Sequence, residues 1–389
     1  MITVDEALSH LFSLCRVMPG EVVPLVRAEG RVLSDLVAAQ RTQPPFPASA
    51  MDGYAVRSAD IVPGATLRVL AEIPAGGAWH GTVTAGTAVR IFTGAPVPEG
   101  ADRILIQEDV RRDGDTITVG DNLDESPYLR PAGGDFEVGD TLDICRISPA
   151  RQSLLAAMNI AHVPVRRQPR VALIATGDEL VVPGEAPGPS QIVSSNIYGV
   201  ASILRAQGAL PHIMPIARDT AQSLSATLAL ASDCDLVVTL GGASVGDHDV
   251  VAQVLGGEMS FNKVRMRPGK PLMAGRFQKQ MIVGLPGNPV SALVCAHVFL
   301  RPLIDAMLGL PQRALPRRSA ALSHDLGANG GREHYMRALV SGDTVKVFDR
   351  QDSSLLSVIA NANALVVREP NAPPLKQGAR VPFVPLSDL

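Results

Sequence analysis

From Arg170 to Met307 the apolar positions fall into short runs rich in β-branched residues, each ended by glycine and followed by residues at helical spacing. Residues 171–175 read as a strand ended by Thr176-Gly177-Asp178-Glu179-Leu180. Ser195-Asn196 then opens a helix through Leu204, closed by Gly208. Residues 211–216 read as a second strand, followed by Arg218-Asp219-Thr220 and a helix to about Ala231. Residues 235–240 form a third, ended by Gly241-Gly242, with Gly246 and Asp247-His248-Asp249 in the loop beyond. A further strand, 281–285, leads through Pro286-Gly287-Asn288-Pro289 into a helix over 290–307. Residues 263–266 and 272–276 are expected to pair antiparallel around Arg267-Pro268-Gly269-Lys270-Pro271. Strand, glycine loop and helix at roughly 30-residue spacing predict a doubly wound parallel sheet with right-handed crossovers.

The flanks differ. Thr3 and Glu6 fit a capping box, and Val4, Leu8, Leu11, Phe12 and Cys15 at helical spacing carry a helix to about Val17, ended by Pro19-Gly20. A short helical patch is expected at 34–38. After Arg41 the runs 67–70, 88–92, 103–106 and 116–119 predict a β-rich module over 40–138, with prominent loops at 49–55 and 92–102. Ser148-Pro149 opens another helix with Leu154, Leu155 and Met158 on its apolar side. Packed on the first helix, it would make 1–39 with 139–168 a helical linker domain carrying the module as an insertion. The α/β domain then occupies 169–313. Strands at 333–340, 344–348 and 364–368 predict a small β domain over 314–389.

Composition narrows the function. The chain has 389 residues, 46% hydrophobic and 19% charged, with net charge −3. With no long basic run and 4% aromatics, it offers neither an electrostatic footprint nor stacking platforms for nucleic acid. The cysteines Cys15, Cys145, Cys234 and Cys295 form no CxxC pair, so zinc-ribbon and redox readings fail and reduced, cytoplasmic thiols are expected. The N-terminus has early acids and no basic segment, so it does not read as a signal peptide. The most apolar stretch, near 290–310, is interrupted by His297, Arg301 and Asp305, which argues against a membrane span.

Three loops follow strand carboxyl ends in the α/β region and should open on one rim of the sheet, where ligands bind in such folds. That rim carries Asp178, Glu179, Asp219, Asp247 and Asp249. Carboxylates gathered there repel one another unless a cation lies between them, and oxygen ligands beside glycines favour Mg²⁺. His248 stands among them, either as a ligand or as a solvent-facing residue at a helix start. Glycine would let backbone N–H groups approach an anion. Lys263, Arg265, Arg267 and Lys270 form either a solvated edge or a second anion site, to which Asn288, Ser291 and a helix start would add donors. Each glycine motif alone is also explained as turn punctuation. There is no GxSxG, GxxxxGK[ST] or GxGxxG, which disfavours P-loop and Rossmann readings.

Taken together, SAMDGYA (49–55), FTGAPVPEGAD (92–102), RPAGGDF (130–136), TGDEL (176–180), GGASVGDHD (241–249), RPGKP (267–271), LPGNPVSA (285–292) and SSLLSVIANANAL (353–365) resemble the MoeA-type molybdopterin molybdenumtransferases, the family of the gephyrin C-terminal domain. The resemblance implies Mg²⁺-dependent insertion of molybdate into adenylylated molybdopterin with release of AMP. It implies a homodimer whose active site is shared between subunits, with the adenylyltransferase and molybdoenzyme maturation factors as partners. Carried over by position, it places Asp52, Thr93, Asp135, Glu179, Asp219, Asp249, Lys263 and Arg267 in the active site. Thr176, Gly177, Asp178, Gly241, Gly242, Ser244, Gly246, Lys270, Pro271, Asn288, Ser291, Arg332 and Ser353 would bind the cofactor and molybdate, with Ser354 an alternative to Ser353. Asp249, Asp247 and Glu179 would hold the metal. The chain departs from the family at Asp247, where glutamate is frequent, and at Arg267, where lysine is. Competing readings are a molybdopterin adenylyltransferase and a non-catalytic scaffold of the same fold.

Overall fold

The computed structural model describes residues 1–242, 251, 259–278 and 280–386. The chain divides into two compact units, one of residues 1–21, 30–34 and 165–389, the other of 22–29 and 35–164.

In the first unit a six-stranded sheet runs in the order Leu210–Ile213, Arg170–Ala175, Leu236–Leu240, Gln280–Leu285, Met273–Phe277, Met259–Phe261. The first four strands are parallel and the last two antiparallel. Both faces are covered, so Leu236–Leu240 is buried throughout, as its unbroken apolar run requires. Val171, Leu173, Val238 and Val283 face one core; Ala172, Ile174, Val237 and Ile282 face the other.

The run Pro289–Met307 is long and apolar enough to cross a bilayer, but 78% of it is buried inside the protein, where it serves as the core helix. Its turns widen to π geometry over Ala296–Leu300, just before Pro302. Proline has no N–H to give the preceding turn, which accounts for the local widening.

The sheet edge differs from expectation. Met259–Phe261, not 263–266, pairs with Met273–Phe277. Met266–Arg267 instead pairs in parallel with Glu333–Ser341 in the C-terminal sheet. There Glu333–Ser341, Thr344–Val347, Arg318–Leu322, Arg380–Pro385 and Ala364–Arg368 pair in turn, and the last returns to the first. This closes a five-stranded barrel around Leu322, Ala338, Val345, Val366 and Phe383. A short helix, Leu356–Ala360, follows the serine pair 353–354 and escaped the sequence reading.

The N-terminal helix is Val4–Leu14, with the Thr3–Glu6 capping box formed reciprocally. The expected partner helix, Pro149–Ala157, falls in the other compact unit. Val4, Ala7, Leu8 and Leu11 join the α/β core and meet Arg301–Met307 and Met259–Phe261. Its apolar stripe needed a partner, and spacing alone does not say which one.

The second unit holds a six-stranded sheet in the order Arg103–Ile106, Gly53–Val56, Thr87–Ile91, Thr66–Ile73, Thr116–Val119, Val110–Asp113. Gly53–Val56, expected to be loop, is a buried inner strand. A Cβ on Gly53 would lie 2.2 Å from the Leu105 carbonyl oxygen, so the close strand approach requires glycine. The expected helical patch at 34–38 is instead extended: Val37–Ala38 pairs with Thr141–Leu142.

Candidate functional site

At the carboxyl ends of the parallel strands lies a cleft of about 810 Å³. Thr176, Gly177, Glu179, Asp219, Gly241, Gly242, Pro271 and Asn288 line it, bringing eight of the predicted positions together. Ser195 and Asn196 line it too, at the start of the helix Asn196–Ala206, and sequence reasoning assigned them only a capping role. Asn196 donates to the Gly287 carbonyl at 2.6 Å, tying that helix start to the Pro286–Pro289 turn.

The glycines work by absence of bulk. Gly177, Gly241 and Gly242 have φ of 148°, 96° and 62°. A Cβ on Gly241 would lie 2.7 Å from the Thr176 carbonyl oxygen. Yet the Gly177 N–H is spent on Ala217 and the Gly241 N–H on Leu285. The expectation that these two donate to an anion therefore does not hold; they make room for one. First-turn N–H groups of Asn196–Ala206 are the better anion donors.

On the acidic side, Glu179 and Asp219 share the cleft wall. Asp178 is exposed beside them, its carboxylate accepting the Asp219 N–H at 3.2 Å and its carbonyl the Arg218 guanidinium at 2.9 Å. Ser244, Gly246, Asp247, His248 and Asp249 lie outside the described residues. Among the described residues no group of three or more His, Cys, Asp or Glu is placed to hold a metal ion.

The cationic loop is fixed from both sides. Ile2 donates to Lys263 at 3.1 Å and accepts from Arg265 at 2.7 Å, while the Arg265 carbonyl accepts from Glu333 at 3.0 Å. Arg267 and Lys270 are exposed, Lys263 half-buried, and Ser291 buried in the first turn of the core helix.

Asn288 donates to the Ser353 hydroxyl at 3.2 Å, and the Ser353 carbonyl accepts the Val290 N–H at 3.1 Å. The neighbouring Asp352 carbonyl accepts Nη2 of Arg337 at 3.2 Å. Arg337 is fully buried, and its Nε and Nη1 find no hydrogen-bond partner among the described residues. Burial and the nearby Arg267 push it down to about 10, with Asp352 opposing. A buried guanidinium with two donors unpartnered among the described residues carries a charge that the fold does not compensate. Sequence reasoning chose Arg332, which is half-buried, and missed Arg337. The available signal was an arginine on the same strand face as the apolar Tyr335, in a run otherwise poor in charge.

His334 is the Cα partner of both Arg267 and Arg368, 6% exposed, with Nε2 unpartnered among the described residues. Burial, then Arg267, Arg337, Arg332 and Arg368, push it from 6.5 down to about 4. Between those values the unfolded chain takes the proton and the folded chain does not. Stability is therefore full above pH 6.5 and falls by up to about 3 kcal/mol as pH drops toward 4. Urea unfolding at pH 7 and pH 5 should show this loss, and His334→Gln should flatten it.

In the second unit, Asp52 accepts Thr93 N–H at 2.8 Å and Thr93 Oγ1 at 2.7 Å. These bonds hold the Asp52 carboxyl below the usual range, with Arg90 assisting. Asp135 is exposed on the turn before Phe136.

Fold and cleft define a multidomain protein built around a molybdopterin-type α/β domain: residues 172–306 match the family model described as a probable molybdopterin binding domain. Residues 2–159 match the MoeA N-terminal region (domain I and II), and residues 319–386 the MoeA C-terminal region (domain IV). The chain belongs to the MoeA family. It is 38% identical over 381 residues to molybdopterin molybdenumtransferase 2 of Mycobacterium tuberculosis, covering 93% of each. It is 33% identical over 408 residues to the molybdopterin molybdenumtransferase of Haemophilus influenzae, covering all of both. Among solved structures, a molybdopterin biosynthesis MoeA protein from Pyrococcus horikoshii aligns at TM-score 0.86 and 26% identity, over 98% of this chain and 99% of that one.

Proposed function

We propose that this enzyme is a molybdopterin molybdenumtransferase, inserting molybdate into adenylylated molybdopterin and releasing AMP. The observation that carries the reading is the glycine-opened cleft at the strand ends, with Glu179 and Asp219 on its wall and Asn288 tying it to Ser353. Beside Ser353, the Asp352 carbonyl holds the buried guanidinium of Arg337. The cleft takes the phosphoanhydride against the start of Asn196–Ala206. Arg337, with Arg267 and Lys270 on the flanking loop, neutralises the molybdate dianion.

Among the described residues, the wall of Glu179, Asp219 and hydroxyl or carbonyl oxygens has no thiol or imidazole, which fits a hard cation. Glu179, with Asp247 and Asp249, would hold Mg²⁺, which when bound offsets charge on the phosphates. The assay is direct: adenylylated molybdopterin, Mg²⁺ and molybdate should yield AMP and active cofactor. Conversion of molybdopterin and ATP to the adenylylated form, with no molybdenum insertion, would instead make it an adenylyltransferase.

The same reading takes the protein as a homodimer in which Asp52, Thr93 and Asp135 serve the partner's cleft. This part of the reading rests on the resemblance of the segments 49–55, 92–102 and 130–136 to the MoeA family, whose N-terminal region residues 2–159 match. Mixing Asp52→Asn and Asp219→Asn subunits should then restore up to about a quarter of wild-type activity, since each mixed dimer keeps one intact site. No recovery on mixing would rule out sharing.

A further inference from the structure

We infer that Arg90 is a positioning residue: clamped between two aromatic rings, its guanidinium locks the Asp52–Thr93 pair in its working geometry. This rests on the reading that Asp52 and Thr93 serve the active cleft.

Arg90 sits directly across from Tyr54 in the strand pair Gly53–Val56 and Thr87–Ile91. Its guanidinium carbon lies 4.9 Å from the centroid of the Tyr54 ring and 4.9 Å from that of Phe92. Nη1 donates to the Gly53 carbonyl at 3.4 Å and Nη2 to Gln107 Oε1 at 2.8 Å. Gln107 in turn receives the strand: its N–H donates to the Asp52 carbonyl at 3.2 Å. Tyr54 and Gly53 follow Asp52 directly, and Phe92 precedes Thr93, so one planar group touches the neighbours of both partners. The two loops are also zipped by backbone bonds from Gly94 to Ser49 at 2.8 Å and from Ser49 to Ala95 at 3.0 Å.

What Arg90 adds is a fixed plane and a charge. Arg90 is the charged group that acts on Asp52; Glu72 is the Cα partner of Arg90 on the adjoining strand Thr66–Ile73, and Glu108 accepts from Gln107 at 3.1 Å. A flat guanidinium can stack on two rings and donate from its edges at once, while an ammonium cannot. Lysine at this position would keep the charge and lose the plane. Small displacements of a reacting group cost rate steeply.

The experiment compares Arg90→Met, Arg90→Lys and Asp52→Asn in the full-length protein, following AMP release from adenylylated molybdopterin with molybdate across pH. Arg90→Met should lower kcat by 10- to 100-fold with KM within about threefold, and move the acid limb to higher pH as Asp52 loses its cationic neighbour. Arg90→Lys should leave the acid limb in place and recover only part of kcat. Wild-type kcat and pH profile in both Arg90 variants, with Asp52→Asn inactive, overturns the inference alone. Full activity of Asp52→Asn overturns the reading beneath it as well. Should Arg90→Met fail to fold, Arg90→Lys decides: reduced kcat on an unmoved acid limb supports the role, and wild-type kcat removes it.

Discussion

Replacing Arg337 by methionine is expected to cut molybdenum insertion by at least about 100-fold while raising the melting temperature of the ligand-free protein. The two effects share one cause. Burial pushes this guanidinium down to about 10, a cost on the charged form that the fold bears without an anion. Methionine fills similar space without charge, so the penalty disappears, and with it the means of holding an oxyanion. Molybdate should raise the melting temperature of the wild-type protein and leave that of Arg337→Met unchanged. Arg332→Ala, at a half-buried position, should keep activity within about tenfold. A variant at 337 that inserts molybdenum normally, or unfolds more readily than wild type, would contradict this account.

Gly241→Ala is expected to destabilise by about 3 kcal/mol or more and to abolish turnover in whatever fraction folds. The backbone there has φ of 96°, a region that a side chain adopts only under strain. The new methyl group would stand 2.7 Å from the Thr176 carbonyl and 2.9 Å from its hydroxyl. Thr176 cannot retreat easily, because its N–H is bonded to Leu240 at 3.0 Å. Thermal unfolding and the AMP-release assay on the soluble fraction measure the two losses separately. A stable, active alanine variant would show that the cleft does not depend on that open space.

Periodicity made the α/β sheet readable because its strands are short, apolar and cut off by glycine, and the helices Asn196–Ala206, Ala221–Leu230 and Pro289–Cys295 begin after the polar residues Ser195, Thr220 and Asn288, of which only Thr220 caps with its side chain. The same logic hid Gly53–Val56, since a strand buried on both faces and begun by glycine shows no alternation. The apolar stripe on Val4–Leu14 was legible, but its partner was set by tertiary packing against Arg301–Met307. Cleft residues at strand ends followed from topology, so Thr176, Glu179, Asp219 and Asn288 were found together. Arg337 was hidden by the opposite rule. A charge in a strand interior is normally solvated, and only the fold reveals that this one is fully enclosed. Resemblance supplied Asp52 and Thr93, and geometry added their mutual bond.

The outer strand of the C-terminal barrel, Met266–Arg267, comes from far upstream in the chain. The barrel is therefore no detachable cassette. A chimera grafting residues 319–386 onto another scaffold would carry a bare sheet edge, open to pairing with its own copies. Cutting the chain between the two would strip the cationic loop of its Glu333 support. Inheritance of this module should thus be all or nothing, with residues 263–271 and the barrel exchanged as one piece.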